Sequence, residues 1–310
     1  MRYADVPGIG PCSRLALGTM AYTPDNMEQA AGLLDAFLAI GGNTIDTAHN
    51  YGGEWVGRSE LAIGRWLADR GTRDRVVIID KGAHPDETGP RVHPAAIDSD
   101  LKDSLQRLGV EYIDLYMLHR DDPSVPVGPI VEALNAHIQA GRVRAIAASN
   151  WTCERIDLFN AYARERGLAG FVASSINLSL ARAKEARWPG CISAGPEERT
   201  WHDRTKLPIF SWSSQAGGFF TGRYAPDRPD DPEMVRVYYS AENWERLRRA
   251  EELGRAKGVT ANQIALAFVL HQTFPTFAII GPLTPQEFAS STAAEDLTLT
   301  PDEVRWLDLE

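Results

Sequence analysis

The sequence predicts a single (β/α)8 TIM barrel, eight parallel strands each followed by a helix, with long loops after the sixth and seventh strands. Three observations predict it. Short β-rich runs alternate with amphipathic segments almost from end to end. The runs are nearly continuous in apolar residues, as in a parallel sheet covered on both faces. No glycine-rich dinucleotide fingerprint follows the first strand, which disfavours the rival fold, a doubly wound open sheet. With 310 residues and no obvious linker, residues 1–310 read as one domain.

The units follow in order. "RLALGT" precedes "DNMEQAAGLLDAFLAIGG", whose apolar residues keep helical spacing and whose glycines close it. "TIDTA" precedes "SELAIGRWLADRG", "RVVIIDKG" precedes "HPAAIDSDLKDSLQRLG", and "YIDLYMLH" precedes "VGPIVEALNAHIQAG". "VRAIAASN" is followed by "ERIDLFNAYARERG", and "GFVASSINL" by an irregular stretch over 181–206. "LPIFSWSS" leads through the Pro-rich "RYAPDRPDDPE" to "AENWERLRRAEELGRAKG". A further helix at "TANQIALAFVLHQTF" takes Thr260 as its N-cap. "TFAIIGP" and "TPQEFASSTAAED" complete the eighth unit, and "TPDEVRWLDLE" reads as a closing helix.

Composition narrows the function. Hydrophobic residues at 44% and charged residues at 24% suit a globular chain with a sizeable core. A formal net charge of -10 argues against a nucleic-acid partner and an anionic membrane surface. Cys12, Cys153 and Cys191 stand far apart without ligand spacing, so packed thiols are expected rather than a disulfide framework or zinc site. No apolar run approaches the ~18 residues of a membrane helix, and the cytoplasm is the default location.

In a barrel the C-terminal strand ends meet at one face, where active sites sit. The second strand ends at Asp46 and feeds a loop carrying Tyr51. The third ends at Lys81, the fourth at His119 and the fifth at Ser149 and Asn150. Each alone has a bland reading: a turn-capping Asp, a packed Tyr, a loop Lys, a core His. Their coincidence at corresponding strand ends carries the weight. A phenol of ordinary pKa near ~10 is a poor proton donor and acceptor at neutral pH. A neighbouring ammonium lowers that value, a carboxylate balances the buried ammonium, and an imidazole can orient a substrate oxygen. The set lacks a nucleophile–base pair and suits proton donation to an oxygen that is gaining charge.

These stretches, "IDTAHNYGGE", "VVIIDKGAH", "IDLYMLHRDDP" and "AASNW", resemble the successive motifs of the aldo-keto reductases, and the likeness runs from "LALGTM" to "TPDEVRWLD". The resemblance implies an oxidoreductase that transfers a hydride between a nicotinamide cofactor and an aldehyde, ketone or sugar. It makes Tyr51 the general acid/base, Lys81 its pKa modifier, Asp46 the anchor of Lys81, and His119 the group that orients the carbonyl. It also implies cofactor contacts. Ser149, Asn150 and Ser175 would hold the carboxamide, with Ser175 standing where the family usually has Gln. Trp212 would stack on the nicotinamide, beside Ser213. Gly217, Gly218 and Gly222 would let the backbone approach the pyrophosphate, and Gly281, Thr284 and Glu287 fall in the last cofactor segment.

That last segment departs from the family. Members that take NADP(H) place Lys or Arg there for the 2′-phosphate, whereas this chain has Pro282, Leu283 and Glu287. A carboxylate favours the ribose hydroxyl of NAD(H), while the helix amides after Thr284 can still hold an anion. NADP(H) is the family expectation and NAD(H) the rival. Met20, Trp55, His84, Trp151 and Trp188 are expected around the substrate mouth. Two other functions compete: a metal-dependent barrel hydrolase using Asp46, His49, His84 and His119, and a non-catalytic barrel that senses the cofactor. A small-molecule carbonyl or alcohol is the expected partner, and nothing in the chain sets an oligomeric state.

Overall fold

The computed structural model describes residues 1–53 and 56–310, in two compact units, Met1–Ser175 and Ile176–Glu310. The first opens with an antiparallel hairpin, β1 (Tyr3–Val6) and β2 (Gly10–Ser13). Then strands and helices alternate: β3 (Leu15–Gly18), α1 (Met27–Ala39), β4 (Thr44–Asp46), α2 (Arg58–Arg70), β5 (Val77–Gly82), α3 (Pro94–Leu108), β6 (Ile113–Leu118), α4 (Val127–Gln139), β7 (Val143–Ser149), α5 (Cys153–Glu165) and β8 (Ser174–Ser175). The second unit holds α6 (Pro196–Thr205), β9 (Ile209–Ser211), α7 (Pro232–Tyr238), α8 (Ala241–Lys257), α9 (Ala261–Leu270), β10 (Thr276–Ile280), α10 (Pro285–Ala293) and α11 (Pro301–Leu307).

The hydrogen-bonded strand order is β10-β3-β4-β5-β6-β7-β8-β9, a closed barrel. This is the fold the sequence predicts, and it excludes the doubly wound open sheet. Burial explains the apolar runs: every residue of β6 is buried, as are Ile78, Ile79, Ile146 and Phe277 on neighbouring strands.

Local chemistry sets the helix ends. Thr260 caps α9 as expected, its hydroxyl accepting from the Gln263 amide while the Gln263 side chain accepts from the Thr260 amide. Gly109 ends α3 and Gly258 ends α8, both left-handed. Two expected irregular stretches hold helices instead. Within 181–206, Gly195 and Pro196 start α6, and Glu198 accepts from the Gly195 amide. In the Pro-rich stretch, Asp231 caps α7 ahead of Pro232. The sixth strand is shorter than "GFVASSINL" suggests. After Ser175, Asn177 leaves the ladder and bridges Ser193 and Trp212.

None of the three cysteines is in a disulfide, and burial pushes the Cys12 thiol up to about 12, which leaves it inert. Among the described residues, no helix is long and apolar enough to cross a membrane.

Helix α2 lies against the end of α3 at Gly64. A Cβ there would sit 2.4 Å from the Arg107 carbonyl oxygen and 2.9 Å from that of Leu108. Both neighbours are backbone and have no rotamer to yield. Gly64→Ala is therefore expected to destabilise the protein by about 2–3 kcal/mol, read as a lower urea midpoint. An unchanged midpoint would show that the helices can separate freely.

Candidate active site

Strand register places the first pair. Thr44, Ile45 and Asp46 of β4 lie beside Val77, Ile78 and Ile79 of β5. Lys81 is two residues beyond Ile79, so pleating turns it to the same face as Ile79, next to Asp46. There Lys81 Nζ donates to Asp46 Oδ1 at 2.5 Å and to the Thr47 carbonyl at 2.9 Å, and both side chains are buried. Register then sets His119. Lys81 lies beside Met117 of β6, and His119, two further on, donates its amide to the Gly82 carbonyl.

Tyr51 arrives from the loop after β4. Its amide donates to the Ala48 carbonyl, and its carbonyl accepts from the Ser59 amide at the start of α2. Ser59 ties that start down, its hydroxyl lying 2.8 Å from Thr19 Oγ1 and 3.0 Å from Thr47 Oγ1. The Tyr51 ring lies 5.0 Å from Lys81 Nζ and meets the His119 ring edge-to-face at 5.7 Å. Asp46, Tyr51, Lys81 and His119 are thus brought together, as their strand ends imply.

Electrostatics refines the expected roles. Burial raises the Tyr51 phenol above its ordinary pKa; Lys81 pulls the other way by charge and hydrogen bond without reversing it. Lys81 acts in the expected direction, but desolvation outweighs it, and the phenol holds its proton at neutral pH. For Lys81, burial acts against the ammonium, but Asp46, Tyr51 and Asp80 outweigh it and its pKa lies above the usual value. Burial, then Lys81, His84 and Arg120, push His119 well below its usual range, so its ring is neutral. Among the described residues His119 Nδ1 is buried without a partner. The tautomer with the proton on Nε2 leaves only a lone pair unpaired there and makes Nε2 the donor.

Ser149 and Asn150 adjoin this set. Ser149 Oγ donates to the Ser175 carbonyl at 3.1 Å, and Asn150 Nδ2 donates to the His119 carbonyl at 3.2 Å. Asn150 has φ 60, in the left-handed region that Asn adopts more readily than most non-glycine residues. Among the described residues Ser175 Oγ is buried and without a partner, a polar atom that a carboxamide would satisfy.

In the second unit, the Trp212 backbone carbonyl accepts from Asn177 Nδ2, and its ring lies 5.6 Å from that of Trp188. A 3₁₀ stretch over 216–221 is interrupted at Gly217 and Gly218, with φ 62 and 86; Gly222 follows with φ 81. A Cβ at Gly222 or Gly281 would meet nothing within 4 Å, so the backbone is open to a ligand there. These features fit a nicotinamide dinucleotide. Thr284 caps α10, and Glu287 Oε2 accepts from the Leu283 amide at 2.7 Å. One oxygen of Glu287 thus serves the helix start.

The expected mouth residues divide. Met20 and Trp188 are exposed, and His84 is half-buried with its ring 4.9 Å from that of His119. Trp55 lies outside the described residues. Trp151 is corrected from a mouth residue to a packing one: it is 1% exposed, its ring meets Phe159 and Phe171, and its indole N–H donates to the Arg120 carbonyl. The hydrolase set does not assemble. His49 Nε2 lies 3.3 Å from Asp103, His84 Nδ1 lies 2.7 Å from the Pro85 carbonyl, and Asp46 is engaged by Lys81. Among the described residues no three His, Cys, Asp or Glu could hold a metal ion.

Sequence reasoning missed two residues here. Asp80, on the opposite face of β5 from Lys81, is pushed well above the usual carboxylate range by burial and by Glu60. Its charged letter inside "VVIIDK" was the available signal. Arg187 pairs with Glu233, donates to Ser213 Oγ at 3.0 Å and covers the Trp188 ring. Its place beside Trp188 in "EARWPG" was the only hint.

Comparison with known proteins agrees with this geometry. The model of the aldo/keto reductase family matches residues 14–309. The chain is 30% identical to norsolorinic acid reductase stcV of Emericella nidulans, over 94% of this chain and 76% of that protein. It is 28% identical to the uncharacterized oxidoreductase YrpG of Bacillus subtilis, over 96% and 91%. Its fold superposes on a thermostable aldo-keto reductase, Tm1743, solved with the inhibitor epalrestat, at a TM-score of 0.77 and 20% identity, covering 100% and 99% of the two chains.

The buried pair is expected to behave as a unit. Lys81→Met or Asp46→Leu leaves an uncompensated buried charge and should cost about 3–5 kcal/mol in urea unfolding. The double variant should cost less than the sum of the two single changes. Strict additivity would show that the two charges do not support one another.

Proposed function

The chain belongs to the aldo/keto reductase family, whose members carry out nicotinamide-dependent carbonyl oxidoreduction, and from that premise we propose that it reduces a small aldehyde, ketone or sugar, or oxidises the matching alcohol, with Tyr51 as general acid/base. The observation that carries the reading is the convergence of a protonated phenol, a buried ammonium held by a carboxylate, and a neutral imidazole.

The geometry supports these roles. His119, neutral and donating through Nε2, orients the carbonyl oxygen. Tyr51 delivers its proton to that oxygen as negative charge gathers on it, and Lys81 then stabilises the phenolate left behind. Asp46 and the Thr47 carbonyl hold Lys81 in place. In the alcohol direction the same phenolate accepts the proton. When bound, the reduced nicotinamide supplies the hydride. Ser149, Asn150 and Ser175 would hold its carboxamide. By family correspondence, Trp212 would give the ring a stacking face, and Ser213, Gly217, Gly218, Gly222, Gly281 and Thr284 would receive the rest of the cofactor.

Family membership favours NADP(H). Glu287 favours NAD(H), because its carboxylate at the start of α10 repels a 2′-phosphate and can accept from a ribose hydroxyl. Tighter binding of NADPH or of NADH, followed by quenching of Trp fluorescence, decides between them. The non-catalytic alternative has no support from a missing group, since all four catalytic side chains are present.

Tyr51→Phe keeps the ring and removes the proton. It should lower kcat by about 10²–10⁴-fold and leave cofactor affinity within about twofold. Turnover at the wild-type rate in this variant would rule out the proposed acid.

A further inference from the structure

We propose that His84 is a specificity-determining residue that accepts a hydrogen bond from a substrate hydroxyl on the carbon next to the carbonyl. The inference rests on the reductase reading above and extends it from carbonyls in general to α-hydroxy carbonyls.

His84 stands three residues after Lys81, beyond Gly82 and Ala83; Ala83 has φ 58, which swings the loop out of the strand. The His84 ring lies 4.9 Å from the His119 ring at 72°, and His119 in turn meets Tyr51. The three rings form one edge-to-face row, with His84 at the half-buried end.

Its hydrogen bonding settles what His84 offers. Nδ1 lies 2.7 Å from the Pro85 carbonyl oxygen, which can only accept, so Nδ1 carries the hydrogen. In the neutral ring Nε2 then presents a lone pair. The ring is neutral because burial and, further out, Arg120 and Arg91 disfavour its charged form, outweighing the Pro85 bond. Among the described residues no carboxylate pairs with it; the nearby Asp100 is taken by Arg91 and the Ala83 amide, and Asp103 faces His49.

The two imidazoles are therefore complementary. His119 presents N–H and His84 presents a lone pair, from rings whose centroids lie 4.9 Å apart. A carbonyl oxygen accepts from the first, and a hydroxyl donates to the second. A simple aldehyde meets the first and leaves the second to water.

The test compares kcat/KM for lactaldehyde and propionaldehyde, which differ by that hydroxyl, at saturating cofactor. The wild type should prefer lactaldehyde by about tenfold, the worth of one neutral hydrogen bond. His84→Phe, which keeps a ring and removes the acceptor, should bring the two substrates level. His84→Gln, which restores an acceptor, should recover part of the preference. Equal kcat/KM in the wild type, or a preference that survives His84→Phe, would overturn the assignment while leaving the reductase reading standing. No cofactor-dependent turnover of either aldehyde, in wild type and Tyr51→Phe alike, would remove the reductase reading and this inference with it.

Discussion

The ion pair between Asp46 and Lys81 is the constraint on which the site depends. Taking an ammonium and a carboxylate out of water costs several kcal/mol per ion, repaid only when each is fully engaged. Here the engagement is nearly complete: Lys81 Nζ reaches Asp46 and the Thr47 carbonyl, and the pair is closed off from solvent. Parallel pairing makes it possible, because Asp46 and Lys81 are diagonal neighbours on one face of adjacent strands. The same register turns His119 to that face and leaves Asp80 on the other.

From the pair outward, the site is graded in charge. The ammonium lies against the Tyr51 ring and disfavours a proton on His119. Burial keeps the phenol protonated and both His119 and His84 neutral. On the proposed reading, a carbonyl entering this row would meet two donors, the Tyr51 phenol and His119 Nε2. The loop that brings Tyr51 is held by hydroxyls, with Ser59 joining Thr19 and Thr47, so the acid is positioned by the strand ends that position its modifier.

Much of this was legible in the sequence because it depends on period and strand ends. The strand runs, the Thr260 cap and the residues closing each strand are local signals, and Asp46, Tyr51, Lys81 and His119 followed from them. What was not legible depends on balance or on partners distant in sequence. The net shift of Tyr51 is a contest between burial and Lys81 that no motif encodes. Trp151 reads as a mouth aromatic beside "ASN", but its neighbours Phe159 and Phe171 draw it into the packing. Helix α6 carried a start signal, "GPEE", yet its polar composition hid the helical period. Arg187 meets Ser213 and Glu233 only in three dimensions.

The central claim is that the Lys81 ammonium stabilises the Tyr51 phenolate against the pull of burial. Carbon-13 NMR of ring-labelled tyrosine, with the Tyr51 signal assigned by its loss in Tyr51→Phe, follows that phenol through a pH titration. The account predicts that Tyr51 titrates at clearly higher pH in Lys81→Met than in the wild type. The same titration midpoint in both proteins would contradict it.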